Sequence, residues 1–172
     1  MPKFGDIKTF PHSSYPVDVS WSSLEFHIAQ QSDGTALDLE PDFQRAHVWN
    51  KAQQSAYVEY VLRGGTSGKE LYFNCTGWGK DYRGLYIIVD GKQRLEAVRR
   101  FMRSEIKAFG YCRHEYEDKP NISTARFSWN IAALETRREV LEWYLQFNAG
   151  GSAHTPEELE RVRKLLEKEC KL

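Results

Sequence analysis

The stretch Tyr86-Ile87-Ile88-Val89-Asp90-Gly91-Lys92-Gln93-Arg94-Leu95 constrains this chain more than any other. A β-branched apolar run stops at Asp90-Gly91, and apolar residues then return at helical spacing at Leu95, Val98, Phe101 and Met102. The pattern predicts a strand, a tight turn and the start of a helix. Gly91 lets the backbone approach a ligand closely, and the N–H groups of a new helix, with Lys92 and Arg94 beside them, suit an anion such as a phosphate. Asp90 suits a metal ion or a ligand hydroxyl. A plain strand–helix connection with solvated charges accounts for the same residues, and this motif alone leaves the two readings even.

Two further segments tip the balance. Upstream, Leu37-Asp38-Leu39-Glu40-Pro41-Asp42-Phe43-Gln44-Arg45 ends a short alternating strand in a dense polar cluster, and Trp49 opens a helical stretch from Lys51 to Arg63. Gln44 and Arg45 echo Gln93 and Arg94. Downstream, a helix predicted from Glu135 to Phe147 runs into Asn148-Ala149-Gly150-Gly151 and then Thr155-Pro156-Glu157-Glu158. Threonine followed by proline, with glutamate three positions on, is a capping box with proline at the first helical position, so a last helix is expected to start at Thr155.

A chain of 172 residues buries one substantial core and seldom two, so one domain spanning 1–172 is expected. Its 41% hydrophobic content, with five Trp, nine Tyr and nine Phe, argues against disorder. The formal net charge of zero removes the broad attraction of a dedicated nucleic-acid coat, while leaving room for a local basic face. No apolar run approaches the roughly 20 residues needed to cross a bilayer, and the first residues lack a signal-peptide core, so a soluble, cytoplasmic protein is expected. Cys75, Cys112 and Cys170 are odd in number and form no C-x-x-C pair, which suits a reducing compartment. Cys75 and Cys112 are expected to pack as small apolar residues in strands.

Residues 1–16 read as an extended lead-in because of Pro2, Pro11 and Pro16. A helix is predicted over 20–31 on the spacing of Trp21, Leu24 and Ile28, and a strand near 36–39. In the helix of 51–63, Ala56, Tyr57, Val58, Val61 and Leu62 are expected to face inward. Gly64-Gly65-Thr66-Ser67-Gly68 reads as a flexible connection. Strands are expected over 70–76, 85–89, 108–114 and 125–131, with a helix over 94–102. Strands and helices mix without regular βαβ alternation, so the fold class is α+β: a small mixed sheet flanked by helices, closed by C-terminal helices.

Other features read more simply as structure. His47, His114 and His154 lack metal-ligand spacing. Trp78, Tyr82 and Tyr86 can stack a base but more often build core. The stripe Leu159, Val162, Leu165 and Leu166 in the last helix fits packing on the body or on another protomer. Arg99, Arg100 and Arg103 either extend a phosphate-binding face or form the wet side of a helix, and Arg137 and Arg138, at a helix start, hint at a nearby anion. No G-x-x-x-x-G-K-[ST] is present, so a nucleotide site here is of the turn-and-helix kind.

The three segments, P-D-F-Q-R…W, then V-D-G-K-Q-R-L, then F-N-A-G-G…T-P-E-E-L, resemble in identity and order the ParB/sulfiredoxin-like superfamily. The closest branch is the one at the N-terminus of GmrSD-type modification-dependent restriction enzymes. Asp90, Gly91, Gln93 and Arg94 match the central motif, Gln44 and Arg45 the first, and Asn148 and Gly151 the third. Ser152-Ala153-His154 stand where the family passes directly to threonine or serine. The central turn is similar to the phosphate-binding turn of ParB CTPases and to the phosphate site of sulfiredoxin. It carries no cysteine, so peroxiredoxin repair is not expected.

The resemblance implies a domain that binds a nucleoside triphosphate with Mg2+ or another divalent cation, and hydrolyses it, in a bacterial or phage-infected cell. Gln44, Arg45, Gly91, Lys92, Gln93 and Arg94 would hold phosphates, Asp90 and Asn148 the metal, and Asp90 and Arg94 would carry the chemistry. Full-length relatives add a C-terminal HNH-type nuclease domain whose constellation is not found in these residues, so nuclease activity would come from this domain or a partner. Two alternatives stay open: a metal-dependent nuclease or DNA-modification accessory, and a non-enzymatic regulatory protein. DNA, a second copy of the chain and a larger protein are the candidate macromolecular partners.

Overall fold

The structure, a computed structural model, describes residues 15–32, 37–44, 48–78, 86–148 and 156–169. Strand β1 (Tyr15–Ser20) leads through a short 3-10 turn, Trp21–Ser23, into α1 (Leu24–Ser32). Helix α2 (Lys51–Leu62) precedes the hairpin β2 (Glu70–Cys75) and β3 (Tyr86–Asp90), and α3 (Lys92–Met102) follows directly. A second 3-10 turn, Arg113–Glu115, precedes β4 (Arg126–Ala132), α4 (Arg137–Asn148) and α5 (Pro156–Glu169). The strands form one mixed sheet in the order β1-β4-β2-β3, antiparallel at its two outer pairs and parallel between β4 and β2. The α+β class expected from the sequence is the one observed.

The sheet is covered on both faces. Side chains alternate along β3, so Tyr86 and Ile88 join a core with Val58 and Val61 of α2 and Leu95, Val98 and Phe101 of α3. Ile87 and Val89 point the other way, into a core with Val140, Leu141 and Tyr144 of α4 and Val162 of α5. That double burial explains why β3 reads as an unbroken apolar run rather than an alternating one. The Val162 stripe of α5 packs on the body, with Leu165 and Leu166 against the same core. Burial of these side chains supplies most of the drive for folding, at roughly 25 cal/mol per Å² of apolar surface.

One buried polar group extends the sheet beyond its backbone ladder. Asn74 is fully buried in β2, where its Nδ2 donates to Leu134 O at 3.2 Å and its Oδ1 accepts from Leu134 N at 2.7 Å. The amide thus substitutes for a strand partner just past the end of β4.

Several local expectations are corrected. Strand β1 departs from the lead-in expected there: only Tyr15, Val17 and Val19 carry a strand signal, and its pairing partner, β4, lies more than a hundred residues away in sequence. Pro16 is tolerated because β1 is an edge. The strand expected over 108–114 is instead a tight turn, with Phe109 and Gly110 at positive φ inside an Ala108–Tyr111 bridge, followed by the 3-10 turn. Cys112 opens that turn half-buried, whereas Cys75 is buried in β2 as expected. In α2, Ala56 is exposed and Gln54 is buried, because the Gln54 amide bridges Trp49 O and Arg100. The strand near 36–39 reduces, within the described residues, to a bridge from Asp38 to Ile87. Trp78 and Tyr86 belong to core, and Tyr82 lies outside the described residues.

Replacing Asn74 with Ala leaves the Leu134 N–H without its partner in a buried setting, while the Thr76 hydroxyl still donates to Leu134 O at 3.2 Å. We expect a loss of about 1–3 kcal/mol, read as a lower urea midpoint with an unchanged slope.

Candidate functional site at the end of strand β3

The central motif forms the predicted strand–turn–helix. The β2–β3 register slips by one residue between Tyr72 and Phe73, so that Tyr72 pairs with Asp90 while Phe73 pairs with Ile88. This bulge places an extra residue on β3 immediately before the turn, a common way of re-aiming a side chain at a functional site. Gly91 then takes φ 98 and ψ 5 as the N-cap of α3 and gives the helix no side-chain cap. A Cβ there would overlap the Leu71 Cδ2 methyl and lie 3.1 Å from Arg94 Nη2 and 3.3 Å from Leu71 Cα. The close approach that calls for glycine is therefore made to β2 and to Arg94.

Around this turn the motif side chains divide into ties to other segments and a half-buried pair bonded to each other. The Lys92 ammonium, 7% exposed, is ion-paired with Glu40. Gln93 Oε1 accepts from Val48 N at 2.9 Å and Trp49 N at 3.2 Å, so the start of α3 holds the approach to α2. Gln44 Nε2 donates to Ile88 O at 2.9 Å, closing the outer edge of β3 already bridged by Asp38. The first motif and the central motif are thus bonded to each other. Asp90 and Arg94, one helical turn apart, form the half-buried pair: Arg94 Nη2 lies 2.5 Å from Asp90 Oδ2, with side chains 23% (Arg94) and 37% (Asp90) exposed.

The third motif arrives from the opposite sheet face. Phe147 lies 4.4 Å, ring centre to ring centre, from Tyr72, the strand partner of Asp90, so the end of α4 comes down beside the pair. Asn148 closes α4, but its side chain, like Arg45, Gly151 and Thr155, lies outside the described residues. Arg137 Nη2 holds Asp42 at 2.6 Å and 2.9 Å, and Arg161 Nη2 donates to Gln44 O at 2.9 Å and Phe43 O at 3.3 Å. Phe43 packs edge-on against Tyr144 at 5.1 Å. The anions near Arg137 are therefore the carboxylates of Asp42 and, at 3.4 Å from its Nε, Glu169, and helices α4 and α5 clamp the first motif.

The remaining arginines of α3 are committed elsewhere. Arg99 and Arg103 both reach Glu25 of α1, and Arg100 bonds Glu105 and Gln54. Bonding to Arg99 holds the Glu25 carboxyl below its ordinary range despite partial burial. Of the two readings of this face, the structure favours paired surface charge.

Arg94 has surroundings that the sequence did not disclose. Burial pushes the Tyr57 phenol well above its ordinary range, while the positive charge of Arg94 acts in the opposite sense. Burial also raises Tyr72, joined by the carboxylates of Glu70 and Asp90 and opposed by Arg94. Tyr57 and Tyr72 come from different elements, and no local pattern marks either as a neighbour of the motif. Among the described residues no group of three or more His, Cys, Asp or Glu side chains is gathered for a metal ion.

A family match agrees with this geometry: residues 27–169 match the N-terminal domain of GmrSD restriction endonucleases. The chain belongs to that family. No curated protein and no solved structure matches it. The match covers all three motifs, including the clamp that α4 and α5 place on the first, and leaves out β1. No helix among the described residues is long and apolar enough to cross a membrane.

Because Leu71 fills the space a side chain at position 91 would need, Gly91→Val is expected to act first on stability. A loss of about 2–4 kcal/mol in denaturant unfolding follows from overpacking at positive φ. A Gly91→Val protein as stable as the parent would remove this reading of the turn.

Proposed function

We propose that this GmrSD-type N-terminal domain binds a nucleoside triphosphate together with a divalent cation and hydrolyses it. The observation that carries the reading is the Asp90–Arg94 pair at the uncapped start of α3, with the first motif bonded to that turn and the end of α4 beside it. A carboxylate and a guanidinium at a helix N-terminus suit a metal–phosphate ligand: the helix start and arginine favour the anion, and the carboxylate favours the cation. The ParB/sulfiredoxin-like resemblance of the motif points to the same chemistry.

Magnesium typically takes one or two carboxylates, with water and substrate phosphates completing its shell. Asp90, 37% exposed, fits that requirement, and Asn148 is the second candidate ligand. A bound cation would neutralise phosphate charge and orient the terminal phosphoryl group. Arg94 turns from Asp90 toward the phosphates and stabilises the charge that grows on their oxygens. A water oxygen attacks the terminal phosphorus and the bridging P–O bond breaks. Its electron pair leaves with the diphosphate, while the proton of the water passes to solvent by way of Asp90. Lys92, Gln93 and Gln44 serve this site chiefly by fixing the turn to Glu40, to Val48 and Trp49, and to β3, which is a positioning contribution. Arg45 is the remaining candidate phosphate ligand.

The restriction-endonuclease family favours one second reading, in which the same pair acts on DNA phosphates. The two are separated by one set of assays. We expect magnesium-dependent release of phosphate or pyrophosphate from at least one nucleoside triphosphate. Arg94→Ala should stay folded and lose about 2–4 kcal/mol of nucleotide binding. Asp90→Ala or Asn148→Ala should suppress release, and plasmid and single-stranded DNA should survive the same conditions. Unchanged nucleotide affinity in Arg94→Ala would sink the assignment. Metal-dependent DNA cleavage lost in Arg94→Ala, without nucleotide binding, would establish the second reading instead.

A further inference from the structure

The guanidinium of Arg94 is held by few hydrogen bonds and by much surrounding surface. Its Nη2 meets Asp90, while its buried Nε finds no partner among the described residues. What borders it is the loop between α2 and β2. Gly68 stands at φ +68, and a Cβ there would lie 3.7 Å from Arg94 Cδ, 3.8 Å from Tyr57 Cε2 and 4.0 Å from Arg94 Nη1. The loop backbone, the phenol ring and the guanidinium therefore meet at one point.

That loop is anchored from α2. Tyr57 Oη donates to Gly68 O at 2.6 Å, and Tyr60 Oη bonds the Ser67 hydroxyl at 2.6 Å and its N–H at 3.2 Å. The two tyrosines lie three residues apart, on neighbouring positions of one helix. A stretch whose sequence reads as a flexible connection is thus fastened at both of its last residues.

We propose that Tyr57 and Gly68 are positioning residues that fix the Arg94 guanidinium for the phosphates of the triphosphate, a role that rests on the nucleotide reading above. The physical reason is the single bond to Asp90. When Asp90 turns to a cation, Arg94 loses its hydrogen bond and keeps only the wall made by Tyr57 and Gly68. A guanidinium already confined by that wall sacrifices less side-chain freedom on binding than one released into solvent.

The test uses the full chain, with ATP, GTP, CTP and UTP each presented with magnesium. Tyr57→Phe removes only the hydroxyl that anchors the Gly68 carbonyl, and Gly68→Ala perturbs the same wall from the loop side. For whichever triphosphate binds the parent protein, the dissociation constant should rise about tenfold in either variant, in keeping with the cost of small misplacements at a site. The Arg94 Nε–Hε resonance, assigned by its loss in Arg94→Lys, should shift or broaden in the ligand-free variants, a change that a merely structural role would not produce. Parent-like affinity and an unmoved Arg94 resonance in both folded variants would overturn the proposal. If the parent binds none of the four triphosphates, the nucleotide reading falls with the binding role proposed here. Loss of binding in Arg94→Ala but not in Tyr57→Phe or Gly68→Ala would leave the nucleotide reading standing and remove this inference alone.

Discussion

The contact between Gly91 and Leu71 sets where everything else at the site can go. A left-handed residue between β3 and α3 turns the chain sharply enough for the helix to start against β2, and Leu71 leaves no space for a side chain at that corner. From this corner α3 presents Lys92 to Glu40, Gln93 to the backbone of Val48 and Trp49, and Arg94 back to Asp90. A one-residue bulge just before the turn places Asp90 opposite Tyr72. The geometry of the candidate site follows from a strand ending and a helix beginning within two residues.

That arrangement divides the labour of a motif whose residues look equivalent on paper. Gln44, Lys92 and Gln93 use their polar ends on backbone and on Glu40, which brings separate segments together, whereas Asp90 and Arg94, both half-buried, bond to each other. The zero net charge of the chain has a related local form. Arg99 and Arg103 share Glu25, Arg100 meets Glu105, and Arg137 meets Asp42. Exposed pairs of this kind contribute little to stability, typically under about 1 kcal/mol each. Their consequence is electrostatic: the basic residues of α3 beyond its first turn are matched by carboxylates, and little positive field extends from them toward a long polyanion.

Much of this protein was legible before its structure. The β3–turn–α3 unit, helices α2 and α4, and strands β2 and β4 all follow from local periodicity, whereas the Val162 stripe left open whether it packs on the body or on another protomer, and the structure packs it on the body. The resemblance carried by the three motifs matches the family found. What escaped was non-local. β1 carries only three strand-like residues, Tyr15, Val17 and Val19, and exists because β4 offers it an edge. The 108–114 segment has β-forming residues but, among the described residues, pairs with no strand, and Phe109 and Gly110 fold back as a turn. Gln54 is buried against pattern because Trp49 O and Arg100 satisfy its amide.

By itself the sequence determined the class of the fold, the place of the turn and the residue types that meet there, since these depend on spacing within a few residues. Only the tertiary structure decided which of those residues tie the fold together and which bond to each other. It also decided that glycine at 91 answers to Leu71, and that Tyr57 and Gly68, more than twenty residues before Arg94, form the wall beside it. The reason is physical: hydrogen-bond partners and packing walls come from segments distant in the chain. The identity of a side chain does not say which backbone group will reach it first.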